Sequence, residues 1–171
     1  LYVRPNLYDY GEQIRVGTSC RYAFVVTCTP IGNAGAYFGK KQEWKFMGIP
    51  TDRVRCAPGL PGRAKAGGFY GMNVEAITKA KRLGCAGVAY ADKVTGPEGR
   101  RSELRIKETN AATLIGFKRN VDGWEIVVPP LDEGDILPGR TRALIKQLAE
   151  DLGWLFTERD IQIEKIAQGE F

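Results

Sequence analysis

Three groups of residues in this 171-residue chain have types and spacing that suit chemistry. Lys65 stands between Ala64 and Ala66 and is followed by Gly67-Gly68. Glycines beside a lysine let a flat ligand or another backbone approach closely, and a lysine amine there can condense with an aldehyde. Glu108 opens a run to Phe117 that reads as an apolar strand. An acid at the head of such a strand can point into a covered interior and keep a ring nitrogen protonated. Gly139-Arg140-Thr141 opens a helix directly after Pro138. Free N–H groups and the helix dipole make that start a site for a phosphate.

Each group has a plainer reading. A lone lysine near glycines is most often surface decoration, and an acid at a strand head is most often solvated. A Gly-x-Thr helix start is most often only a cap. Taken together, an amine, a buried acid and a phosphate-binding helix start are the parts that pyridoxal-phosphate chemistry requires.

Composition excludes several alternatives. The chain has no histidine, so Ser-His-Asp and Cys-His mechanisms are excluded within it. Cys20, Cys28, Cys56 and Cys85 contain no C-x-x-C pair, and no metal site is expected. Four separated cysteines in a chain able to bury a core read as reduced, partly buried thiols, which favours the cytoplasm or an organelle matrix. The net charge is +5, with acids interspersed. The densest basic stretch, Arg100 to Lys107, is interrupted by Glu103 and flanked by Glu98 and Glu108. It is expected to be solvated surface, and no nucleic-acid partner is expected. The 43% hydrophobic and 26% charged content is that of a soluble globular protein. No apolar run approaches a membrane span, and the first residues lack signal-peptide character.

The elements that must position these residues alternate along the chain, which argues an α/β class. Tyr22–Thr29 reads as a buried strand, and Arg53–Ala57 as strand-like. Met72–Leu83 reads as an amphipathic helix stopped by Gly84. Gly87–Ala91 reads as a short strand. Glu108–Phe117 and Trp124–Val128 read as paired strands around a turn at Asn120-Val121-Asp122-Gly123. A helix over Thr141–Leu152 carries Leu144, Leu148 and Leu152 at i+4 spacing, with Ile145 and Ala149 widening the apolar stripe and Gly153 as its cap. Trp154–Thr157 reads as a strand, and a third helix starts at Ile163–Ala167.

The order of the motifs resembles the fold-type IV pyridoxal-phosphate enzymes, most of all the branched-chain amino acid aminotransferases. Ala64-Lys65-Ala66-Gly67-Gly68-Phe69-Tyr70 is similar to the family's K-x-G-G-N-Y. Ile136-Leu137-Pro138-Gly139-Arg140-Thr141-Arg142 is similar to its L-P-G-[IV]-T-R. Glu108 takes the position of the acid in E-x-x-x-x-N-[LIF]-F, Val128-Pro129-Pro130-Leu131 resembles T-P-P-L, and Thr157-Glu158-Arg159 resembles V-x-E-R. Leu1-Tyr2-Val3-Arg4-Pro5 is similar to the end of the family's small domain, and Gly35-Ala36-Tyr37-Phe38 to its interdomain connection.

The resemblance implies a D-amino acid aminotransferase-like fold of mixed α/β class. Residues 1–34 would be a remnant of the small domain, 35–45 the connection, and 46–171 most of the large barrel-like domain. It implies that Lys65 carries the cofactor and shuttles the proton, and that Tyr70 hydrogen-bonds the O3′ oxygen. Glu108 would pair with the pyridinium, Leu137 would pack on the ring, and Arg140 and Thr141 would grip the phosphate. Tyr2 and Arg4 would lie near the substrate. It further implies pyridoxal 5'-phosphate as cofactor, a hydrophobic amino acid and a 2-oxo acid such as 2-oxoglutarate as substrates, and a homodimer.

The sequence departs from the pattern at Phe69, where the family has Asn, at Thr113, where it has the second Asn, and at Arg140, where it has a small aliphatic residue. The family also uses an upstream arginine and a downstream G-T-A segment on the phosphate. Neither falls within these residues, so the chain taken alone is expected to bind cofactor weakly and to be inactive. Alternatives of the same fold are D-amino acid transamination and the aminodeoxychorismate lyase reaction. From another class, a catalytically idle domain used for binding or structure is motivated by the three departures.

Overall fold

The computed structural model of the chain describes residues 1–11, 17, 20–31, 46–49, 54–57, 59–94 and 103–171. It divides into two compact units, Leu1–Glu43 and Trp44–Phe171. The expected connection at 35–45 lies outside the described residues.

The first unit contains β1 (Tyr2–Asp9) and β2 (Tyr22–Thr29), paired antiparallel with Tyr2 opposite Thr29 and Asp9 opposite Tyr22. The strand at Tyr22–Thr29 is present but not buried, since all of it except Ala23 is exposed. β1 has no counterpart in the local pattern because Pro5 reads as a break. In a two-stranded sheet both strands are edges, where a residue without an N–H is tolerated.

In the second unit β3 (Phe46–Ile49) runs parallel to β4 (Gly87–Val94). β4 pairs antiparallel with β5 (Glu103–Thr109), and β5 with β9 (Ile161–Gln162). A second sheet joins β6 (Gly116–Asn120) to β7 (Gly123–Val128) as a hairpin, with β8 (Leu155–Glu158) parallel to β7. The hairpin turn falls where the sequence places it, and Gly123 takes the positive φ of 137° there.

The helices are α1 (Gly68–Gly71), α2 (Asn73–Arg82), α3 (Arg140–Asp151) and α4 (Ile163–Ala167). Ala76 and Ala80 of α2 pack on Val88 and Tyr90 of β4. Ala149 and Ile145 of α3 pack on Ile126 and Val128, with Trp154 and Phe156. Gly84 and Gly153 end α2 and α3 in the left-handed conformation, at φ of 74° and 69°. The inward face of α3 differs from the expected stripe. Arg142, Ile145 and Ala149 turn toward the sheet, while Leu144, Leu148 and Leu152 are exposed.

Four further expectations are corrected. Val54–Ala57 is not a strand. The run Glu108–Phe117 is two strand pieces in different sheets, so Glu108 stands near the end of β5 rather than at a strand head. The basic stretch is not all solvated surface: Lys107 is buried and Arg105 half-buried. Of the four free cysteines, Cys56 is buried and Cys85 partly so, but Cys20 and Cys28 are exposed. Among the described residues no helix is long and apolar enough to cross a membrane.

Candidate active site

Glu108 owes its direction to an irregularity in the sheet. Tyr90 pairs with Glu108 and Ala91 with Ile106, so Lys107 is an extra residue on β5. Successive residues of a regular strand face opposite sides. Here the bulge lets Lys107 and Glu108 line the same cavity of about 170 Å³, with Arg55, Cys56, Tyr90, Asp92, Glu133 and Asp135.

The Glu108 carboxylate is nearly buried and has two specific partners. Arg55 Nε lies 2.8 Å from Oε2, with both side chains at 10% exposure or less. The backbone N–H of Leu137 donates to the same oxygen at 3.3 Å. Burial pushes the Glu108 carboxyl above its ordinary range. Arg55, the Leu137 N–H and the charge of Lys65 pull it back, while Asp135 pushes it further up. Lys65, Glu108 and Leu137 are thereby brought into one electrostatic neighbourhood.

Arg55 is the functional residue that the sequence reading missed. Its neighbours suggested a strand, and its partner lies 53 positions further along the chain. The available signal was the Pro/Gly-punctuated run 58–62 after it, which marks a loop able to carry a side chain inward.

That loop is fastened by close backbone approach. A Cβ on Gly62 would stand 2.5 Å from the carbonyl oxygen of Asp135, and Arg63 Nη2 donates to the Leu131 carbonyl at 2.7 Å. The lysine turn and the segment leading into α3 are held together at this point. Gly62→Ala should therefore destabilise the protein by about 1–3 kcal/mol, the usual range for overpacking a filled site. Urea unfolding checks this, and a variant as stable as the parent would show that the loop is free to shift.

Lys65 is exposed, and a Cβ on Gly67 or Gly68 would meet nothing within 4 Å. Tyr70 follows on α1 and is 41% exposed. The start of α3 has Gly139 as N-cap with extended backbone and no side-chain cap. Arg140 and Thr141 form its exposed first turn. Thr113 Oγ1 stands 3.3 Å from where a Gly139 Cβ would lie, which places that departure beside the helix start. Arg142, third in the same turn, is buried. It donates to the Pro129 carbonyl at 2.6 Å and pairs with Glu158 at 2.9 Å, locking the motif to the end of β7.

Tyr2 and Arg4 belong to the first unit. They share a face of β1, with the Arg4 guanidinium 5.3 Å from the centre of the Tyr2 ring.

A network of ion pairs braces the floor of the cavity. Arg105 reaches Asp92 at 2.8 Å, Glu133 at 2.6 Å and Asp160 at 3.4 Å, and Lys107 reaches Glu133 at 2.7 Å and Asp135 at 3.3 Å. The Lys107 ammonium, ahead of Arg105, holds Glu133 below the usual carboxylate range. Among the described residues no group of acids and cysteines is arranged to hold a metal ion.

No family model matches the chain. It is 32% identical over 172 residues to the mitochondrial branched-chain-amino-acid aminotransferase 1 of Arabidopsis thaliana, covering 99% of this chain and 40% of that protein. Its fold superposes on the branched-chain aminotransferase of Thermoproteus uzoniensis, solved with norvaline, at a TM-score of 0.74 and 23% identity. That match covers 97% of this chain and 50% of the other. The branched-chain amino acid aminotransferase of Thermobaculum terrenum, solved in its pyridoxal-phosphate form, gives a TM-score of 0.69 at 21% identity over 95% of this chain and 48% of the other.

The chain therefore shares the fold of these branched-chain aminotransferases. It spans 40% of the length of the Arabidopsis relative.

Proposed function

We propose that the protein carrying this chain is a pyridoxal-phosphate-dependent aminotransferase that moves an amino group between a hydrophobic, branched-chain amino acid and a 2-oxo acid, 2-oxoglutarate being the expected acceptor. The observation that carries this reading is the buried Glu108 carboxylate, held by Arg55 and the Leu137 N–H in the electrostatic neighbourhood of Lys65. The full protein is proposed to be a homodimer. Residues 1–34 are assigned to the small domain, 35–45 to the connection and 46–171 to the large domain. Free cysteines support a reducing compartment, the cytoplasm or an organelle matrix.

The residues present fit the cofactor. Open space above Gly67-Gly68, an uncapped helix start and a nearly buried carboxylate suit a flat ring, a phosphate and a pyridinium respectively. Once bound, pyridoxal phosphate supplies an electron sink. The remaining work falls to the chain. The Lys65 amine would hold the cofactor through its aldehyde carbon at rest and, once displaced by the substrate's amine, would carry a proton to and from the substrate's Cα. Glu108 would hold the proton on the pyridine nitrogen, and Arg55 would keep Glu108 available as an anion. Leu137 would cover the ring and keep water from it. Tyr70 would donate to the ring's O3′ oxygen. The N–H groups of Arg140 and Thr141, with the Thr141 hydroxyl, would bind the phosphate. Tyr2 and Arg4 are assigned to the substrate by the resemblance of Leu1-Tyr2-Val3-Arg4-Pro5 alone.

The test uses the full-length protein with pyridoxal phosphate and a panel of L- and D-amino donors with 2-oxoglutarate. The expected result is a yellow protein that transaminates L-leucine, L-isoleucine and L-valine. Transamination restricted to D-amino acids would move the reading to the D-specific branch. A colourless protein that takes up no cofactor would sink it.

A further inference from the structure

What sets Lys65 and Tyr70 at a fixed distance from Glu108 is not evident from their own turn. α1 is a single turn with Gly68 and Gly71 at its ends and no side-chain cap, and Phe69 is its one buried residue. Gly67 before it, and Gly68 and Gly71 within it, touch nothing through their Cβ positions. A segment with so few packed groups opens locally at little cost.

One buried amide connects that turn to the core. Asn73 is 3% exposed, at the first position of α2. Its Nδ2 donates to the Phe69 carbonyl at 3.0 Å, and its Oδ1 accepts from the Tyr90 hydroxyl. Tyr90 is 3% exposed, packs in the cluster of Ala76, Ala80 and Val88, and stands opposite Glu108 across the β4–β5 ladder. An unbroken path therefore runs from the lysine turn through Phe69, Asn73 and Tyr90 to the strand that carries Glu108.

We infer that Asn73 and Tyr90 are a coupled pair of positioning residues, which hold the Lys65–Tyr70 turn in register with Glu108. The pair acts through the turn, by the Asn73 amide on the Phe69 carbonyl. Tyr90 can play this part because it is paired directly opposite Glu108 and borders the same cavity, while its ring packs in the core. An asparagine suits the other position because one amide supplies both a donor and an acceptor. Leaving either end unpaired in the interior is costly. The inference deepens the aminotransferase reading and rests on it for the meaning of the turn. The physical link itself can be tested without cofactor.

The experiment uses the full-length protein with Tyr90→Phe, Asn73→Ala and the double change, and with Thr78→Val on the exposed side of α2 as a control. Backbone hydrogen exchange in the cofactor-free protein is the first readout. Amides of residues 66–72 should exchange about tenfold faster in Tyr90→Phe, as expected when one buried hydrogen bond restraining a local opening is lost. Amides of β7 and the control variant should be unchanged, and the double variant should be no faster than Asn73→Ala. The second readout is the pH titration of the visible absorbance after pyridoxal phosphate is added, whose midpoint should move in Tyr90→Phe.

Unchanged exchange at 66–72, an equal rise in β7, or additive effects in the double variant would each overturn the coupling. If Asn73→Ala does not fold, Tyr90→Phe, which removes a single oxygen, decides by the same criteria. Wild-type protein that takes up no cofactor would refute the aminotransferase reading, and the exchange data would still judge the link.

Discussion

Replacing Lys65 by alanine should reduce transamination by the full-length protein to the background of the reaction in water. Reduction of the wild type with borohydride should leave the pyridoxyl group on Lys65. The expectation rests on geometry and on charge. Lys65 is the lysine that shares a turn with Gly67-Gly68 and Tyr70, and it acts electrostatically on Glu108. Lys107, the other lysine beside Glu108, is already committed to Glu133 and Asp135. Lys79 and Lys81 lie in the last turn of α2. A lysine that both holds the cofactor and transfers the proton cannot be replaced by binding energy elsewhere, so the loss should be many orders of magnitude. Peptide mapping that found the label on Lys79, Lys81, Lys93 or Lys107 would refute the assignment.

The second large effect concerns the Arg55–Glu108 pair. Glu108→Gln should leave the shape of the site intact and slow turnover by orders of magnitude, because a positioned charge at the reacting system is lost. Arg55→Met should slow it too, in a way that depends on pH. Burial raises Glu108 and Arg55 is its leading counterweight, so removing Arg55 moves the ionisation of Glu108 further up. The acid limb of the rate profile should shift to higher pH.

Stability follows with a definite sign. A carboxyl raised in the folded state contributes stability below its unfolded value, and that contribution is lost as pH rises through the folded value. Arg55→Met should therefore be least stable, relative to the parent, on the alkaline side of that range. Glu108→Gln leaves a buried arginine unpaired, a situation that costs about 3–5 kcal/mol. The double variant, with neither charge, should be more stable than Glu108→Gln alone. Near-normal turnover in Glu108→Gln, or a rate profile unmoved in Arg55→Met, would remove Glu108 from the chemistry.

The parts of this site that a sequence shows are those with local causes. α2 and α3 appear at their expected places because helical spacing and the glycines at 84 and 153 are short-range signals. The β6–β7 turn is visible for the same reason. The lysine turn and the α3 start are legible as motifs. β5 begins at Glu103, five residues before the expected start at Glu108, because Arg105 and Lys107 alternate with Leu104 and Ile106 and look like one wet face. That face is dry because Asp92, Glu133, Asp135 and Asp160 arrive from other parts of the chain to neutralise it. The inward face of α3 was misjudged for a related reason. Arg142 takes an interior place that hydrophobicity would assign to a leucine, because its Nη1 donates to the Pro129 carbonyl and its charge pairs with Glu158.

The fastening at Gly62 and Arg63 also has a consequence for the order of events during synthesis. Arg63 and its acceptor at Leu131 are separated by 68 positions, so the lysine turn leaves the ribosome well before the segment that secures it. At roughly 5–20 residues per second the wait is about 3–14 s, long compared with the microseconds in which the α2 helix can form. Through that interval the nascent chain carries a loose, glycine-rich lysine loop, with Arg63 still lacking its acceptor at Leu131. The chemistry-bearing surface is thus assembled late, by contacts distant in sequence.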